Sequence, residues 1–502
     1  MKFFRIPKAV LVFYLIIIVG LIVRVVYLSQ IRSLWGDEAA NFFHAKEPLS
    51  MLIKGDYSGF ATHPPLSFII FKFWTLISND EKWLRLLGTT TSILSIFVVS
   101  AIAKELFPKN KYLPVIIAFL FAFSTYQIRS GSEFRYVNLY LFFSGLCLYF
   151  FIRAITNKSS VIYCCIFGIL ALFTDYSFFW LWISIVFYAL FLLAKKLKGS
   201  AIQVPLSKVF ICIVVPVAAF LPWLPKFLNS LNFSLFSGYI SRPQFIDIPA
   251  LLLSYLVAFP TRNGISADAY HWWQPIRYVV GNDYIAKLLY LILSNTLLVA
   301  GLSKLMYHNK NNSLRFMKVI IILPVILSFA VSQKNPIFVD YNLQIVSIGV
   351  MIILAAFICE HKKIGACILI IYTILNLLSL KVLFQHETVM EEWKSVVSNA
   401  RNTLDVDKAL ILIYPNVNIF PIKYYLLQYN LNDQVSLLDL DNNDIEKDVH
   451  MKQLLTMNYQ KVCLVTYKDM NSYARKIFDF LSTRYTNTDA FISRGIYLGC
   501  FQ

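Results

Sequence analysis

Residues 103–112 read AKELFPKNKY, a short basic stretch between two apolar segments, and the side of a membrane it faces decides how the chain is threaded. Short loops rich in Lys and Arg stay on the cytoplasmic side. If two short apolar segments, 66–79 and 246–260, both crossed, this loop and the Lys195–Lys208 cluster would turn outward. If neither crosses, Lys104, Lys109 and Lys111 face the same side as Lys2, Arg5, Lys8, Arg153, Lys158 and the 195–208 cluster. Lys304, Lys310, Arg315, Lys318, Lys362 and Lys363 join them. The second arrangement gathers every short basic loop on one side. It predicts eleven spanning helices, amino terminus inside and carboxyl tail outside, with the two short segments lying in the interface.

The predicted spans fall near 9–28, 85–103, 112–129, 137–154, 161–175, 177–194, 208–225, 284–304, 317–333, 341–359 and 364–384. They stand close to the roughly 17–25 residues that a bilayer requires. Composition agrees: 58% of the 502 residues are hydrophobic, 15% are charged, and mean hydropathy is +0.62. A soluble chain of this length carries more charge, so the fold class is a polytopic α-helical membrane protein. The net charge of +18 is no sign of nucleic-acid binding, because the basic residues cluster in short loops between spans. No Ala-x-Ala-like cleavage pattern follows the first apolar run, which reads as an uncleaved helix.

Six cysteines, Cys147, Cys164, Cys165, Cys212, Cys359 and Cys367, sit in apolar segments without ligand spacing and read as small buried hydrophobes. Cys463 and Cys500 fall in the tail and could pair if the tail is exported.

From about 386 the composition changes. KALILIYPNV, QVSLLDL, KVCLVTYKDM and RGIYLGCF read as strands, alternating with helical patterns such as NIFPIKYYLLQY and SYARKIFDFLSTRY. This predicts two domains, 1–385 in the membrane and 386–502 as a small extracytoplasmic α/β domain on a parallel or mixed sheet. The tail has no Gly-rich phosphate loop and reads as a cap or an acceptor-binding module.

The outer side collects the opening loop 29–65, the turn QIRSGSEFRY (127–136), FTDYS (173–177), the segment 226–283 and QKNPIFVDYN (333–342). These hold most of the carboxylates outside the tail, while the spans are nearly free of ionisable residues apart from Arg24 and Lys72 near ends. Transporters usually carry charge at mid-membrane; here the polar chemistry gathers at one face. Asp37 and Glu38 could start a helix, Asp37 as N-cap, and a carboxylate held that way can also act as a general base toward a hydroxyl. His63, fixed before Pro64 and Pro65, is either a turn residue or a donor toward a phosphate or sugar hydroxyl. Glu133 and Arg135, two apart, form a surface pair or a phosphate site, with Arg129 sharing the role or snorkelling. Asp175 reads first as an N-cap. Asp340-Tyr341, Arg262, Arg277, Lys334 and HWWQP (271–275) are weaker candidates. Asp37, Glu38 and Glu133 could together hold a hard divalent cation through oxygen; no Cys/His spacing points to zinc.

These residues resemble membrane glycosyltransferases of the GT-C fold, in the branch of protein O-mannosyltransferases, aminoarabinose transferases and Rgt-like bacterial enzymes. WGDEA after the first span, HPPL closing the same loop, FAFSTYQIRSGSEFRY, FLPWLPKF (220–227) and EEWKSVV carry the likeness in order along most of the chain. The resemblance implies an inverting transfer from a polyprenyl-phosphate-linked sugar to a glycan, lipid or protein acceptor outside the inner (plasma) membrane. It implies Asp37 as catalytic base with Glu38 beside it, and His63, Glu133 and Arg135 lining the donor phosphate and acceptor region. One departure stands out: Asp340-Tyr341 occupies a place where many relatives show Arg-Tyr. The alternatives are a transporter or flippase of lipid-linked intermediates and a non-catalytic envelope scaffold.

Overall fold

The structure, a computed structural model, describes residues 7–30, 33–57, 63–156, 160–197, 205–234, 242–257, 280–281, 283–306, 312–385, 392–404, 409–415, 418–431, 433–439, 459–467, 470, 472–493 and 496–502. Arg262, Arg277 and the 271–275 stretch lie outside them. The chain divides into two compact units, one of residues 1–30, 47–78 and 82–386, the other of 31–46, 79–81 and 387–502.

The first unit contains the helices α1 (Lys8–Gln30), α3 (Leu49–Lys54), α4 (Pro65–Trp74), α5 (Glu81–Leu106, its first residue grouped with the other unit), α6 (Leu113–Phe123), α7 (Thr125–Gly131) and α8 (Val137–Ile155). It continues through α9 (Val161–Thr174), α10 (Phe178–Leu197), α11 (Leu206–Phe220), a 3₁₀ turn at Leu221–Trp223, α12 (Leu224–Ser234) and α13 (Asp247–Leu256). α14 (Tyr284–Met306), α15 (Asn312–Ser332), α16 (Ile345–Glu360) and α17 (Lys362–Gln385) complete it. The chain is a polytopic helical membrane protein. Among the described residues, eight helical segments are long and apolar enough to cross a membrane, a ninth being the pair α6 and α7, bent by 59° at a break.

All eleven predicted segments return as helices, but three depart from the expectation of unbroken spans. The 112–129 segment breaks at Ser124, whose extended backbone (φ −63°, ψ 119°) ends α6 and whose Oγ accepts from the Gln127 N–H as the N-cap of α7. α9 and α16 have 14 and 16 residues. α16 is short because it is core: it packs against α6, α8, α13, α14, α15 and α17 and is buried on nearly every side. The two doubtful segments resolve as α4 and α13, 10 residues each. At about 1.5 Å per residue, neither crosses a hydrocarbon layer about 30 Å thick.

The second unit holds α2 (Gly36–Lys46), α18 (Trp393–Asn399), α19 (Arg401–Leu404), α20 (Ile419–Gln428), α21 (Ser472–Arg484) and a five-stranded sheet. The strands are β1 (Ala409–Ile413), β2 (Val435–Asp439), β3 (Lys461–Tyr467), β4 (Asn487–Ser493) and β5 (Ile496–Phe501), in the order β2-β1-β3-β5-β4. β2, β1 and β3 run parallel, and β5 pairs antiparallel with both β3 and β4. β1, an inner strand between β2 and β3, reads ALILI and is buried throughout, as a strand covered on both faces requires. Cys463 on β3 sits opposite Cys500 on β5, and the two form a disulfide. α2 docks on α20: Phe42 meets the Tyr424 ring edge-on at 5.0 Å, and the Tyr425 hydroxyl accepts from the Leu34 N–H at 2.6 Å.

Candidate functional site

Five of the sequence candidates meet in the first unit. His63 enters α4 through Pro64 and Pro65, which start the helix where a missing N–H costs nothing. Its Nδ1 lies 3.1 Å from Asp175 Oδ2, and its ring centroid is 4.1 Å from that of Tyr136. Asp175 is buried and works twice: Oδ1 accepts from the Ser177 N–H at 2.8 Å, closing the turn before α10, while Oδ2 orients the histidine. Oδ1 thus serves the turn that leads into α10, and Oδ2 faces His63.

Tyr136 links this pair to the arginines. Arg135 lies 5.7 Å from the Tyr136 ring and 4.8 Å from the Tyr341 ring, a stacked arrangement that suits a weakly hydrated guanidinium. Arg135 Nη1 stands 3.5 Å from Glu133 Oε2, and Arg129 Nε stands 4.0 Å from Glu133 Oε1. One carboxylate thus sits between two guanidinium groups at separations longer than the roughly 2.7–2.9 Å of a closed charge-assisted bond. Glu133 and Arg135 are buried and His63 is half-buried.

Backbone geometry fixes this turn. A Cβ on Gly88 of α5 would stand 2.6 Å from the Glu133 carbonyl oxygen and 2.9 Å from that of Gly131, so only glycine lets α5 approach so closely. The Thr89 hydroxyl donates to the Gly131 carbonyl at 3.2 Å. The FLPWLPKF segment buttresses the other end: Trp223 Nε1 donates to the Tyr176 hydroxyl at 3.0 Å, next to Asp175. Its indole also covers Gly55, held at φ +69°, where any side chain would collide with it. Lys226 pairs with Asp56 one residue on.

Asp340 is held through both its side chain and its backbone carbonyl. Its Oδ1 accepts from the Tyr341 N–H at 2.9 Å and its carbonyl accepts from the Tyr255 hydroxyl at 2.9 Å. Burial pushes its carboxyl up, against the opposing pull of Arg129 and Arg135. Lys334 is exposed.

Asp37 and Glu38 lie on α2, in the second unit. The expected capping roles are exchanged. The helix begins at Gly36, so Asp37 falls in its first turn, and it is Glu38 Oε2 that reaches back to accept from the Trp35 N–H at 3.3 Å. This is the carboxylate half of a capping box. Glu38 is buried and Asp37 half-buried. Among the described residues, no group of three or more His, Cys, Asp or Glu side chains could hold a metal ion.

Tyr136 belongs to this cluster without being singled out by the sequence, and Tyr341 enters the sequence reading only beside Asp340 as a weaker candidate. Both follow a charged candidate directly, but nothing in the sequence shows their rings flanking Arg135.

No protein-family model and no curated protein matches the chain. Solved structures do. The chain is similar to ArnT from Cupriavidus metallidurans, in the apo state and bound to undecaprenyl phosphate, at TM-score 0.52 and 14% identity, with 97% of each chain covered. It is also similar to the oligosaccharyltransferase AglB from Archaeoglobus fulgidus in complex with an inhibitory peptide and a dolichol-phosphate, at TM-score 0.52 and 11% identity, over 96% of this chain and 74% of that one. The chain has the GT-C fold, with a small α/β domain at its carboxyl side.

Proposed function

We propose that this chain is a glycosyltransferase that moves a sugar from a polyprenyl-phosphate-linked donor to an acceptor hydroxyl on the extracytoplasmic face of the inner membrane, with inversion at the anomeric carbon. The carrying observation is the pair Arg129 and Arg135 about Glu133, flanked by His63–Asp175, in a GT-C fold. Arginine matches phosphate oxygens with two parallel bonds. The long separations to Glu133 leave a geometry that an incoming phosphate can tighten. Support also comes from the undecaprenyl phosphate and dolichol-phosphate bound in ArnT and AglB.

In this reading Asp37 takes the proton of the acceptor hydroxyl as its oxygen attacks the anomeric carbon. The bond from that carbon to the phosphate oxygen breaks, and the electron pair leaves with the polyprenyl phosphate. Arg135 and Arg129 stabilise the charge growing on that phosphate. His63, its Nδ1 held by Asp175, offers Nε2 to a phosphate or sugar oxygen. The Cys463–Cys500 disulfide supports an exported tail, because such bonds persist in oxidising compartments.

The test is complementation of a deletion strain, read by mass analysis of envelope glycans and lipid-linked sugars. Loss of the protein should leave accumulated donor and an acceptor short of one sugar. Asp37→Asn, expressed at wild-type level, should lower transfer by about 10²–10⁴, the range for a general base. Full complementation by this variant would point to the flippase or scaffold reading.

A further inference from the structure

The break between α6 and α7 leaves the last carbonyls of α6 and the first amides of α7 without partners in their own helix. Within a bilayer each such group costs several kcal/mol if left alone. Three buried side chains from other helices take up four of these groups. The Tyr372 hydroxyl of α17 donates to the Leu120 carbonyl at 2.6 Å. Arg24 of α1, fully buried, donates from Nη2 to the Phe121 carbonyl at 3.1 Å and from Nη1 to the Ala122 carbonyl at 2.7 Å. Its Nη1 also reaches the Gly20 carbonyl at 3.1 Å and its Nε the Ser92 hydroxyl at 3.2 Å.

Across the break, Asn376 of α17 accepts through Oδ1 from the Thr125 N–H at 2.9 Å and the Thr125 hydroxyl at 3.0 Å. Its Nδ2 donates to the Leu256 carbonyl at the end of α13 at 2.9 Å. Ser92 passes its own proton on to the Gln127 carbonyl of α7 at 3.2 Å. Arg24 thus engages all three of its nitrogens on neutral oxygens, with its charge at the negative end of α6. Gly20 lets α1 approach α6 this closely, since a Cβ there would stand 3.0 Å from that of Ala122.

A continuous helix over 113–131 would close all these bonds within itself. The break instead diverts them to side chains of α1 and α17, and what it yields is a new direction for α7. We infer that Arg24 and Asn376 are positioning residues. They hold the break, and through it they set the turn that carries Arg129, Glu133 and Arg135. The inference rests on reading that turn as the donor-phosphate site. Neither residue touches substrate.

The experiment uses the full-length protein in nanodiscs, with hydrogen exchange of the 120–136 amides and binding of radiolabelled undecaprenyl phosphate as separate readouts. Arg24→Met should speed exchange over 120–136 at least about ten-fold while α14 exchanges as before. It should also weaken undecaprenyl phosphate binding by about ten-fold or more, since a misplacement of about 1 Å can cost 10²-fold at a site. Arg24→Lys should recover part of both. Asn376→Ala should reproduce both effects and serves where Arg24→Met fails to fold. Unchanged exchange over 120–136 overturns the inference. So does faster exchange with unchanged lipid binding, because the joint is then structural only. Should the wild type bind no undecaprenyl phosphate, the donor reading falls, while the exchange rates of 125–136 still decide whether Arg24 sets the turn.

Discussion

Two sets of arginines bear on one broken span, and they are used in opposite ways. Arg24 is fully buried and meets its oxygens at 2.7–3.2 Å, all of them backbone carbonyls or a hydroxyl. Arg129 and Arg135, at the far end of α7 and just beyond it, face a carboxylate at 4.0 and 3.5 Å, and Arg135 lies beside the rings of Tyr136 and Tyr341. Arg24 spends its donors on neutral oxygens of the helices it joins. Arg129 and Arg135 share one carboxylate at longer range. Residue type alone does not separate the two settings; the oxygens each guanidinium meets do.

The sharpest way to break this contrast is Arg135→Gln. It should lower transfer by about 10²–10³, the usual cost of removing one donor from a developing negative charge, while the melting temperature stays close to wild type. A large fall in melting temperature would place Arg135 with Arg24 instead.

Gly88→Val comes next, because its branched side chain cannot fit against the carbonyls of Gly131 and Glu133. A loss of about 1–3 kcal/mol in stability is expected from such overpacking, together with weakened undecaprenyl phosphate binding. Gly301→Ala on α14, where a Cβ meets nothing within 4 Å, is the matched control and should be neutral or slightly stabilising in a thermal melt.

Tyr372→Phe removes one donor from the joint and leaves the Leu120 carbonyl unsatisfied, which should cost about 1–3 kcal/mol. A thermal melt at fixed lipid content measures it.

The smallest effect concerns Asp340. Its carboxyl titrates above its ordinary range in the folded chain, so its protonated form favours folding below the unfolded value of about 4. That contribution is lost as pH rises through the folded value. Asp340→Asn should therefore raise the melting temperature at neutral pH, and the difference should shrink as pH approaches 4. A difference that grows on acidification would refute the assignment.

Most of the fold was legible because spans are written as long apolar runs and the buried strands as short ones. Three features were not. The break at Ser124 falls inside FAFSTYQ, which contains neither Pro nor Gly, and depends on side chains about 100 and 250 residues distant in sequence. Arg24 stands towards the end of an apolar run in the sequence, and its full burial rests on α6 carbonyls and the Ser92 hydroxyl that the sequence does not bring beside it. β4 reads NTDAFIS, a mostly exposed edge strand whose polar residues hide the strand signal. In the candidate site, the sequence supplied His63, Glu133, Arg129, Arg135 and Asp175 as separate hints. Their meeting through Tyr136 is tertiary, since His63 and Asp175 are 112 positions apart. The Asp37–Glu38 pair was legible as a helix start, but which of the two caps it depended on the helix beginning two residues earlier than expected.

The sheet order carries a consequence for biogenesis. β5 is the last of the five strands to be made, yet it lies between β3 and β4. As the tail emerges, β4 therefore arrives before its only neighbour among the described strands, and Cys463 waits as a thiol until Cys500 follows 37 residues later. Maturation of this domain is thus set to finish in one late event, in which the newest strand joins the sheet and the crosslink can form.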